Sequence, residues 1–559
     1  MTSAASSLVA GLDVGNSTTE VVIVDVSVMP PRPVAWDRRP TRGRKGSERS
    51  WRGAAELLVR LEARSGVRAG AVVVTRQHPV DTRAALLAEP EPDTGRLRVL
   101  AAGAATPGTA GIGVGRPVEC GSDAVADGPV VLVAADPLGY RRTAADVERW
   151  QRAGAEVVGV VVAGDEAVLV SRRLSRPVPV VDGVDPGIAL TAQLLAVEVA
   201  RPGAAVRSLC DPVRTAALFG LGPEEHAHAE AVARSVRGLG DVVVALVPSA
   251  SPPAAGAPVA LVEGPAGRVA LLDAVGGTPW PVVDRVVLPG DDGALVASDV
   301  DDAWAVDLDR VASDVVLRPR ATRSRAVALA LLATPGDDDI DTEALLGPVL
   351  GRPVHVVHDE AAAARAGALT TPGADPGATV VDVGGGTIDV VVPGVDAVVL
   401  AGAGDLVTLA TAELLQLPRG QAEWVKRGPS SRVEGPHLVA DEDGQRRFLD
   451  APAAAAAVGR LVVPGPAGLL AFSAVLAPAE WRALRLRLKS AVLGDNVARG
   501  AGAAATGDVL VVGGPGGDDE VLDCVARALP GAVPGRGDVA GVLGHRWAVA
   551  YGLTVLLAR

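Results

Sequence analysis

Two short turns combine an aspartate with glycine and hydroxyl residues in the same arrangement. The first turn, residues 15–18 (Gly-Asn-Ser-Thr), follows an apolar run that ends at Asp13, and a Val-rich run comes after it. The second turn, residues 384–387 (Gly-Gly-Gly-Thr), follows Asp382 in the same way. Each segment is therefore predicted to form a β-hairpin with small polar residues at its tip.

This pattern suits the chemistry of bound phosphate. Glycines let successive backbone N–H groups converge on an anion, and hydroxyl groups add further donors. A carboxylate repels phosphate, but it can hold Mg²⁺-bound water or orient an attacking water. A single hairpin of this kind is usually only a turn. Two with the same Asp-x-Gly pattern favour a clamp on a polyphosphate.

A third glycine turn, Gly513 and Gly514, follows the apolar run 509–512. Backbone without side chains there could lie flat against a nucleoside, although an ordinary tight turn is an equal alternative. A Walker A loop is excluded, because that loop needs a lysine directly after a glycine. None of the three lysines follows a glycine.

Strand and helix signals alternate along the chain, which predicts an α/β fold. Val-rich runs predict strands at 72–75, 130–134, 157–162, 168–170, 242–247 and 509–512. Ala- and Leu-rich stretches predict helices at 192–200 and 227–236.

Composition excludes several classes of protein. The 559 residues are 48% hydrophobic and 21% charged, which predicts several folded domains. A net charge of −13 argues against nucleic-acid and anionic-membrane partners. The longest uncharged run, 461–479, is broken by prolines and does not predict a membrane span. Three widely spaced cysteines exclude a disulfide framework and a thiolate metal site, so a reducing cytoplasm fits best.

Lysine is rare in this chain. Of 53 basic residues only Lys45, Lys426 and Lys489 are lysines, and the rest are arginines. This bias is typical of a GC-rich coding sequence, and it makes each retained lysine a candidate for a specific role.

Taken in order, these segments resemble the actin-like ATPase superfamily. Residues 13–18 resemble its first phosphate loop, and residues 382–389 (Asp-Val-Gly-Gly-Gly-Thr-Ile-Asp) resemble the second, in its heat-shock chaperone form. Residues 513–514 resemble the adenosine loop, and residues 360–369 and 548–553 the two connecting helices. The phosphate loops lie much farther apart than in heat-shock chaperones, which predicts a domain-sized insertion.

Further segments resemble the large, ATPase subunit of diol/glycerol dehydratase reactivases: residues 105–115, 159–182, 368–373, 400–408 and 535–537. The resemblance implies an actin/heat-shock-chaperone-like ATPase domain with ribonuclease-H-like halves and an inserted α/β swivelling domain. The expected domains are the first part of the ATPase (1–95), the swivelling domain (96–257), a linker or reduced insert (258–325) and the remainder of the ATPase (326–559).

The same resemblance implies a site for ATP or ADP with Mg²⁺. Asp13 would lie near the metal-bound water, Asp382 would position the attacking water, and Glu360 is a further catalytic carboxylate. The implied phosphate-binding residues are Asn16, Ser17, Thr18, Gly384, Gly385, Gly386 and Thr387. Gly513 and Gly514 would border the adenosine, with Glu423 and Lys426 at the ribose and adenine and Arg546 at the base. For Glu423 and Lys426 the alternative is a surface ion pair.

A second metal site is implied away from the nucleotide. Thr106, Asp165 and Asp182 match family positions that bind Mg²⁺ where the large and small subunits meet, and oxygen ligands suit such a hard cation. Exposed loop acids remain the alternative.

The resemblance implies an ATP-dependent, chaperone-like factor that rescues a coenzyme B12-dependent diol or glycerol dehydratase by releasing damaged cobalamin. Its expected partners are the dehydratase and a small reactivase subunit, in a heterotetramer of two large and two small subunits. The expected location is the cytoplasm, with or without a bacterial microcompartment. The alternative is an actin-like sugar or acid kinase, or another actin-like ATPase.

Overall fold

The computed structural model describes residues 7–88, 93–103, 109–122, 128–135, 138–201, 204–249, 260–277, 279–290, 294–313, 315, 324–334, 340–501 and 504–558. The chain divides into two compact units. One unit comprises Met1–Leu87, Pro258–Val316 and Ser324–Arg559, and the other comprises Ala88–Ala257 and Leu317–Arg323.

The strands of the first half of the chain are β1 (Leu8–Val14), β2 (Thr18–Asp25), β3 (Arg32–Pro40), β4 (Ala71–Thr75), β5 (Val80–Ala88), β6 (Leu97–Gly103), β7 (Gly111–Glu119), β8 (Val130–Ala134), β9 (Val157–Val162), β10 (Val180–Val181), β11 (Leu194–Val199), β12 (Asp241–Leu246), β13 (Leu261–Gly264) and β14 (Gly267–Ala270). The later strands are β15 (Arg285–Pro289), β16 (Leu295–Asp307), β17 (Ser324–Ala333), β18 (Val354–Val357), β19 (Thr379–Val383), β20 (Thr387–Val391), β21 (Val398–Ala401), β22 (Ser431–Gly435), β23 (Leu438–Asp441), β24 (Arg446–Phe448), β25 (Leu461–Gly465), β26 (Gly468–Ser473), β27 (Gly507–Val512) and β28 (Ala532–Arg536).

The helices are α1 (Glu48–Ser65), α2 (Tyr140–Arg152), α3 (Ala167–Ser171), α4 (Pro186–Thr191), α5 (Pro212–Phe219), α6 (His226–Ser235), α7 (Leu271–Gly276), α8 (Leu308–Ser313), α9 (Thr342–Leu350), α10 (Glu360–Ala368), α11 (Gly404–Leu415), α12 (Arg419–Val425), α13 (Pro478–Lys489), α14 (Asp495–Ala501), α15 (Asp519–Ala528) and α16 (Ala548–Ala558). A π-helical turn, Ser490–Gly494, joins α13 to α14. Among the described residues, no helix is both long and apolar enough to cross a bilayer.

Two sheets of the first unit share one plan. The first sheet has the order β18-β4-β1-β2-β3. Its strands β1 and β2 form an antiparallel hairpin, and β4 and β18 lie parallel to β1 on one side of it. In the order β21-β20-β19-β27-β28, the hairpin β19–β20 also continues into parallel strands. The two phosphate-loop candidates are the tips of these two hairpins, so each half of the unit presents one tip.

Two more sheets complete the first unit. The described part of residues 258–325 adds β13–β16 to a six-stranded sheet that also holds β5 and β17, while α7 and α8 pack nearby. Strands β22–β26 form an antiparallel sheet with a small apolar core of its own. The described residues of the range 258–325 therefore build regular structure.

The second unit is a seven-stranded sheet in the order β10-β9-β8-β7-β11-β12-β6. Strands β7–β10 run parallel to one another, whereas β11 pairs antiparallel with both β7 and β12. Apolar clusters cover both of its faces. This mixed sheet confirms the α/β class for the second unit as well.

Two of the predicted elements are wrong. The Ala- and Leu-rich stretch 192–200 is not a helix but the central strand β11, because its residues are buried between two neighbouring strands and pairing outweighs helix propensity. The Val run 168–170 is not a strand but lies within the short helix α3, whose Ala167 and Val170 are buried. Runs this short do not distinguish a buried strand from a buried helix.

Helices α10 and α16, the predicted connecting helices, cross at two glycines. A Cβ placed at Gly552 would lie 1.8 Å from the carbonyl oxygen of Ala363, and one placed at Gly367 would lie 2.0 Å from that of Ala548. The backbones therefore approach more closely than any side chain allows. This crossing belongs to an apolar core shared by β1, β2, β19 and β27, so it fixes the spacing of the two hairpin sheets.

We expect Gly552→Ala to lower the midpoint of thermal unfolding (Tm) by several degrees, because overpacking of this kind costs roughly 1–3 kcal/mol. The matched control is Gly420→Ala in α12, where nothing lies within 4 Å of the added Cβ. That substitution is expected to leave Tm unchanged or to raise it slightly. Differential scanning calorimetry of both variants tests the crossing, and equal effects would contradict it.

Candidate functional site

One cavity of about 450 Å³ in the first unit collects the predicted nucleotide site, and its volume suits a small-molecule ligand. All fifteen residues predicted for the nucleotide line it: Asp13, Asn16, Ser17, Thr18, Glu360, Asp382, Gly384, Gly385, Gly386, Thr387, Glu423, Lys426, Gly513, Gly514 and Arg546. Residues that are far apart in the chain thus face one space.

The two hairpin tips meet in this cavity. A Cβ placed at Gly385 would lie 2.6 Å from the Ser17 hydroxyl, so a side chain at position 385 would displace that hydroxyl. The Ser17 hydroxyl donates to Asp405, whose own backbone N–H donates to the Gly385 carbonyl at 2.7 Å. Asn16 is anchored separately through its side-chain amide, which donates to the Val80 carbonyl at 2.6 Å. An incoming phosphate would compete with Asp405 for the Ser17 hydroxyl, since both are anionic acceptors.

Both hairpins carry a pair of acids directly opposite each other beside the tip. Asp13 faces Glu20 across β1 and β2, and Asp382 faces Asp389 across β19 and β20. All four carboxylates line the cavity. Like charges in opposed positions destabilise a sheet, so this repeated arrangement is costly unless a cation balances it.

The pKa values of these four carboxyl groups are all raised, and burial is the main cause. Burial and the neighbouring Glu360 raise the pKa of Asp13 to about 7, and burial with Asp13 raises the pKa of Glu20 to about 8. Burial and the surrounding carboxylates raise the pKa of Asp382 to about 8, and they hold the pKa of Asp389 well above its usual range. In the ligand-free protein these carboxyl groups therefore favour their neutral, protonated forms up to a higher pH than exposed acids do.

Lys45 is a buried cation that faces three of these acids, Asp13, Asp382 and Asp389. It lies in the loop before α1, its side chain is 4% exposed, and its ammonium is 3.3 Å from both carboxylate oxygens of Glu360 at the start of α10. Although burial disfavours its charge, the carboxylates of Glu360, Asp13 and Asp389 raise the pKa of Lys45. Glu20 faces the guanidiniums of Arg546 and Arg38 instead, and these cations together still leave the pKa values of the four acids raised.

Two carboxylate oxygens of the site are open to a divalent cation that also binds phosphate. Asp13 Oδ1 and Asp389 Oδ1 are buried oxygens without a hydrogen-bond partner among the described residues. Unpartnered carboxylate oxygens are the ligands that Mg²⁺ prefers, either directly or through bound water. The residues present would thus accept Mg²⁺ together with the phosphates.

The part of the cavity lined by Gly513, Gly514 and Arg546 suits a nucleoside. Gly513 and Gly514 follow β27, and the guanidinium of Arg546 lies 3.0 Å from a Cβ placed at Gly514. Glu423 and Lys426 form an ion pair at 2.7 Å, and burial lowers the pKa of Lys426. The alternative of a surface ion pair is wrong, because the Lys426 side chain is only 13% exposed and lines the cavity.

Several residues of the cavity were not predicted as site residues: Glu20, Arg38, Lys45, Asp389, Asp405, Arg427, Lys489, Asp518 and His545. The rarity of lysine was a usable signal, since all three lysines line this one cavity. Glu20 could have been found from the hairpin, because its register places it opposite Asp13. Asp518 and Asp405 gave no comparable signal.

The predicted second metal site lies in the other unit. Asp165 and Asp182 follow the parallel strands β9 and β10, and burial together with the charge of Asp165 raises the pKa of Asp182. Thr106 lies outside the described residues. Within the described part of the chain, no three His, Cys, Asp or Glu residues cluster as metal ligands. A metal at Thr106, Asp165 and Asp182 therefore stays a prediction.

Fold and cavity together define a nucleotide-binding protein with an ATPase-like domain. Residues 299–557 match the family described as diol dehydratase reactivase ATPase-like domain, and residues 99–251 match the DD-reactivating factor swiveling domain. The chain belongs to the family of dehydratase-reactivating factor large subunits, as the following similarities show.

The propanediol dehydratase-reactivating factor large subunit of Citrobacter freundii is 30% identical to this chain over 602 residues, which cover 98% of each protein. The diol dehydratase-reactivating factor large subunit of Klebsiella michiganensis is 30% identical over 601 residues, again 98% of each. The structure of a diol dehydratase-reactivating factor in nucleotide-free form superimposes with a TM-score of 0.67 and 26% identity over 99% of each chain. These findings confirm the predicted family and fold class.

The buried acids predict how stability depends on pH. The folded-state pKa of Glu20, about 8, exceeds its ordinary value of 4.5, so the folded protein holds this proton more tightly than the unfolded chain does. Stability is therefore lost as pH rises from about 4.5 towards 8. We expect Glu20→Gln to raise the Tm of the ligand-free protein by roughly 2–4 °C at pH 8.5, and to change it little at pH 5.

Thermal unfolding at both pH values measures this difference. Glu119→Gln is the matched control, because Glu119 is an exposed strand residue of the second unit, and no pH-dependent change is expected for it. A Glu20→Gln effect of equal size at pH 5 and pH 8.5 would contradict an origin in Glu20 ionisation.

Proposed function

We propose that this chain is the ATP-driven large subunit of a factor that reactivates a coenzyme B12-dependent diol or glycerol dehydratase. The observation that carries the proposal is the meeting of both phosphate hairpins in one acidic cavity, within a chain that matches reactivating factors over 98% of its length. An actin-like kinase is not favoured, because the relatives matched over this length are reactivating factors.

ATP hydrolysis is proposed from the roles that the cavity residues can take. The hydroxyls of Ser17, Thr18 and Thr387 and the loop N–H groups would hold the phosphates. Asp382, in its ionised form, would position the attacking water and accept its proton as the bond between the γ-phosphorus and ADP breaks. Mg²⁺, when bound near Asp13 and Asp389, would neutralise charge on the phosphates.

Lys45 and Glu360 are the groups most directly affected by nucleotide. Phosphate oxygens entering beside the carboxylates offer Lys45 a second anionic partner, and Glu360 begins α10, which crosses α16. A change in the Lys45–Glu360 pair would therefore act on the helix crossing that spaces the two hairpin sheets. We propose this as the start of the nucleotide-dependent change.

The proposed interactions with the dehydratase and with a small subunit are based on the family resemblance. Nucleotide state would control docking to the dehydratase, so that damaged cobalamin leaves and intact adenosylcobalamin binds. A small subunit would join the large one, in a heterotetramer of two copies of each, with Mg²⁺ held by Thr106, Asp165 and Asp182 between them. The complex would work in the cytoplasm, free or in a microcompartment.

The direct test mixes the purified chain, its small subunit, ATP and Mg²⁺ with a dehydratase blocked by cyanocobalamin. We expect turnover to return on adding adenosylcobalamin, and not when ATP is omitted. A phosphorylated small molecule formed from a panel of sugars and acids would instead identify a kinase. Failure of reactivation with every diol and glycerol dehydratase tried would contradict the proposal.

Lys45→Met is expected to lower the rate of ATP hydrolysis roughly 100-fold, because it removes a buried cation from beside the transferred phosphate. The measurement is phosphate release at saturating Mg²⁺-ATP. Arg42→Met is the matched control, since Arg42 is a half-exposed cation three residues earlier that pairs with Glu56 outside the cavity. Equal rates for the two variants would exclude a role for Lys45.

A further inference from the structure

We infer that Asp302 is a positioning residue for the second phosphate loop, residues 384–387. This inference rests on the proposed nucleotide function of the cavity. Asp302 lies on β16, within the range 258–325 that the family resemblance implies is a linker or reduced insert, and it is not among the residues that line the cavity. It acts on the loop through the turn 401–405, which connects β21 to α11.

The turn 401–405 holds the carbonyl groups of the phosphate loop. Three backbone N–H groups of the turn donate to the three glycine carbonyls of the loop: those of Gly402, Gly404 and Asp405 to Gly386, Gly384 and Gly385, at 2.9, 3.2 and 2.7 Å respectively. Each glycine of the loop is therefore attached to the turn through its carbonyl oxygen.

This attachment sets the direction of the loop N–H groups. In a trans peptide unit, a carbonyl and the N–H of the next residue point in opposite directions. The carbonyls of Gly384 and Gly385 are directed at the turn, so the N–H groups of Gly385 and Gly386 are directed away from it. Among the described residues, these two N–H groups have no protein acceptor, and both glycines line the cavity. They are therefore available to phosphate oxygens.

Asp302 fixes the turn at its first residue. Its carboxylate accepts the backbone N–H of Ala401 at 2.7 Å and binds two nitrogens of the Arg499 guanidinium, at 2.8 and 2.7 Å. Asn496, on the same helix as Arg499, donates from its side-chain amide to the carbonyls of Ala401 and Gly402, at 2.7 and 2.9 Å. The N–H and the carbonyl of Ala401 are thus both held by side chains.

A β-bulge directs Asp302 towards the turn. The pairing of β16 with β17 shifts register between Val300 and Asp302, so Asp301 is an extra residue in the strand. Bulges redirect side chains in this way and are frequent beside active sites. The side chain of the nearby Asp299 is 66% exposed, whereas that of Asp302 is 14% exposed. The bulge therefore turns one acid of this run inward.

The experiment measures binding of adenosine, Mg²⁺-ADP and Mg²⁺-ATP to the purified full chain by isothermal titration calorimetry. Asp302→Asn removes the charge that binds Arg499 and holds the Ala401 N–H, so the loop N–H groups lose their fixed direction. We expect this variant to bind ADP and ATP roughly tenfold more weakly than the wild type, because hydrogen bonds to charged phosphate are lost. Adenosine has no phosphate, so its affinity should stay within about threefold of the wild type.

Asp307→Asn is the matched control. Asp307 lies on the same strand, and its side chain is 3% exposed. It pairs with Arg325 at 2.8 Å and accepts the backbone N–H of Arg310 at 2.9 Å, so the control disrupts an equivalent buried ion pair away from the turn. We expect its affinity for ADP, and its ratio of ADP to adenosine affinity, to equal those of the wild type.

A wild-type ratio of ADP to adenosine affinity in Asp302→Asn, or an equal change of this ratio in Asp307→Asn, would overturn the inference while leaving the nucleotide site intact. If the wild type binds none of the three ligands, the proposed function and this inference fail together. Arg499→Lys decides the matter if Asp302→Asn does not fold, because lysine keeps the charge but cannot bind both oxygens of Asp302 in the same geometry. A smaller fall in the same ratio is then expected, and an unchanged ratio would overturn the inference.

Discussion

Burial of opposed pairs of acidic side chains is the constraint around which the site of the first unit is organised. Strand register places Asp13 opposite Glu20 and Asp382 opposite Asp389. Lys45, Arg38 and Arg546 offset only part of the resulting cost, since the pKa values of all four acids stay raised. Such an arrangement survives because the surrounding apolar cores stabilise it independently. The buried acids lower the stability of the ligand-free protein. A bound cation would relieve that cost, and a polyphosphate would bind together with the cation.

The sequence predicted those parts of the site that are formed by residues close together in the chain. A glycine turn after a strand-end aspartate is recognisable without any tertiary information, and two of them predicted the hairpins now seen as β1–β2 and β19–β20. The family resemblance predicted the nucleoside end around Gly513 and Glu423, and the comparisons confirm the family and the fold class. The assignment of individual roles to these residues remains a prediction.

The rest could not be predicted because it depends on long-range contacts. Asp405 reaches Ser17 across 388 positions, and Glu360 reaches Lys45 across 315. The stretch that forms β11 has the composition of a helix and becomes a strand only because β7 and β12 pair with it. In the same way, nothing in the pattern around Asp518 indicates that Lys489 lies beside it.

The distribution of cations has a practical consequence for the study of assemblies. Lys45, Lys426 and Lys489 have side chains that are 4%, 13% and 2% exposed, so the positive groups on the exterior are guanidiniums. Reagents that couple through primary amines will find almost no accessible side chain on this subunit. Cross-linking of a complex that contains it should use carboxylate- or arginine-directed chemistry, and an absence of amine cross-links to this chain would say nothing about contact.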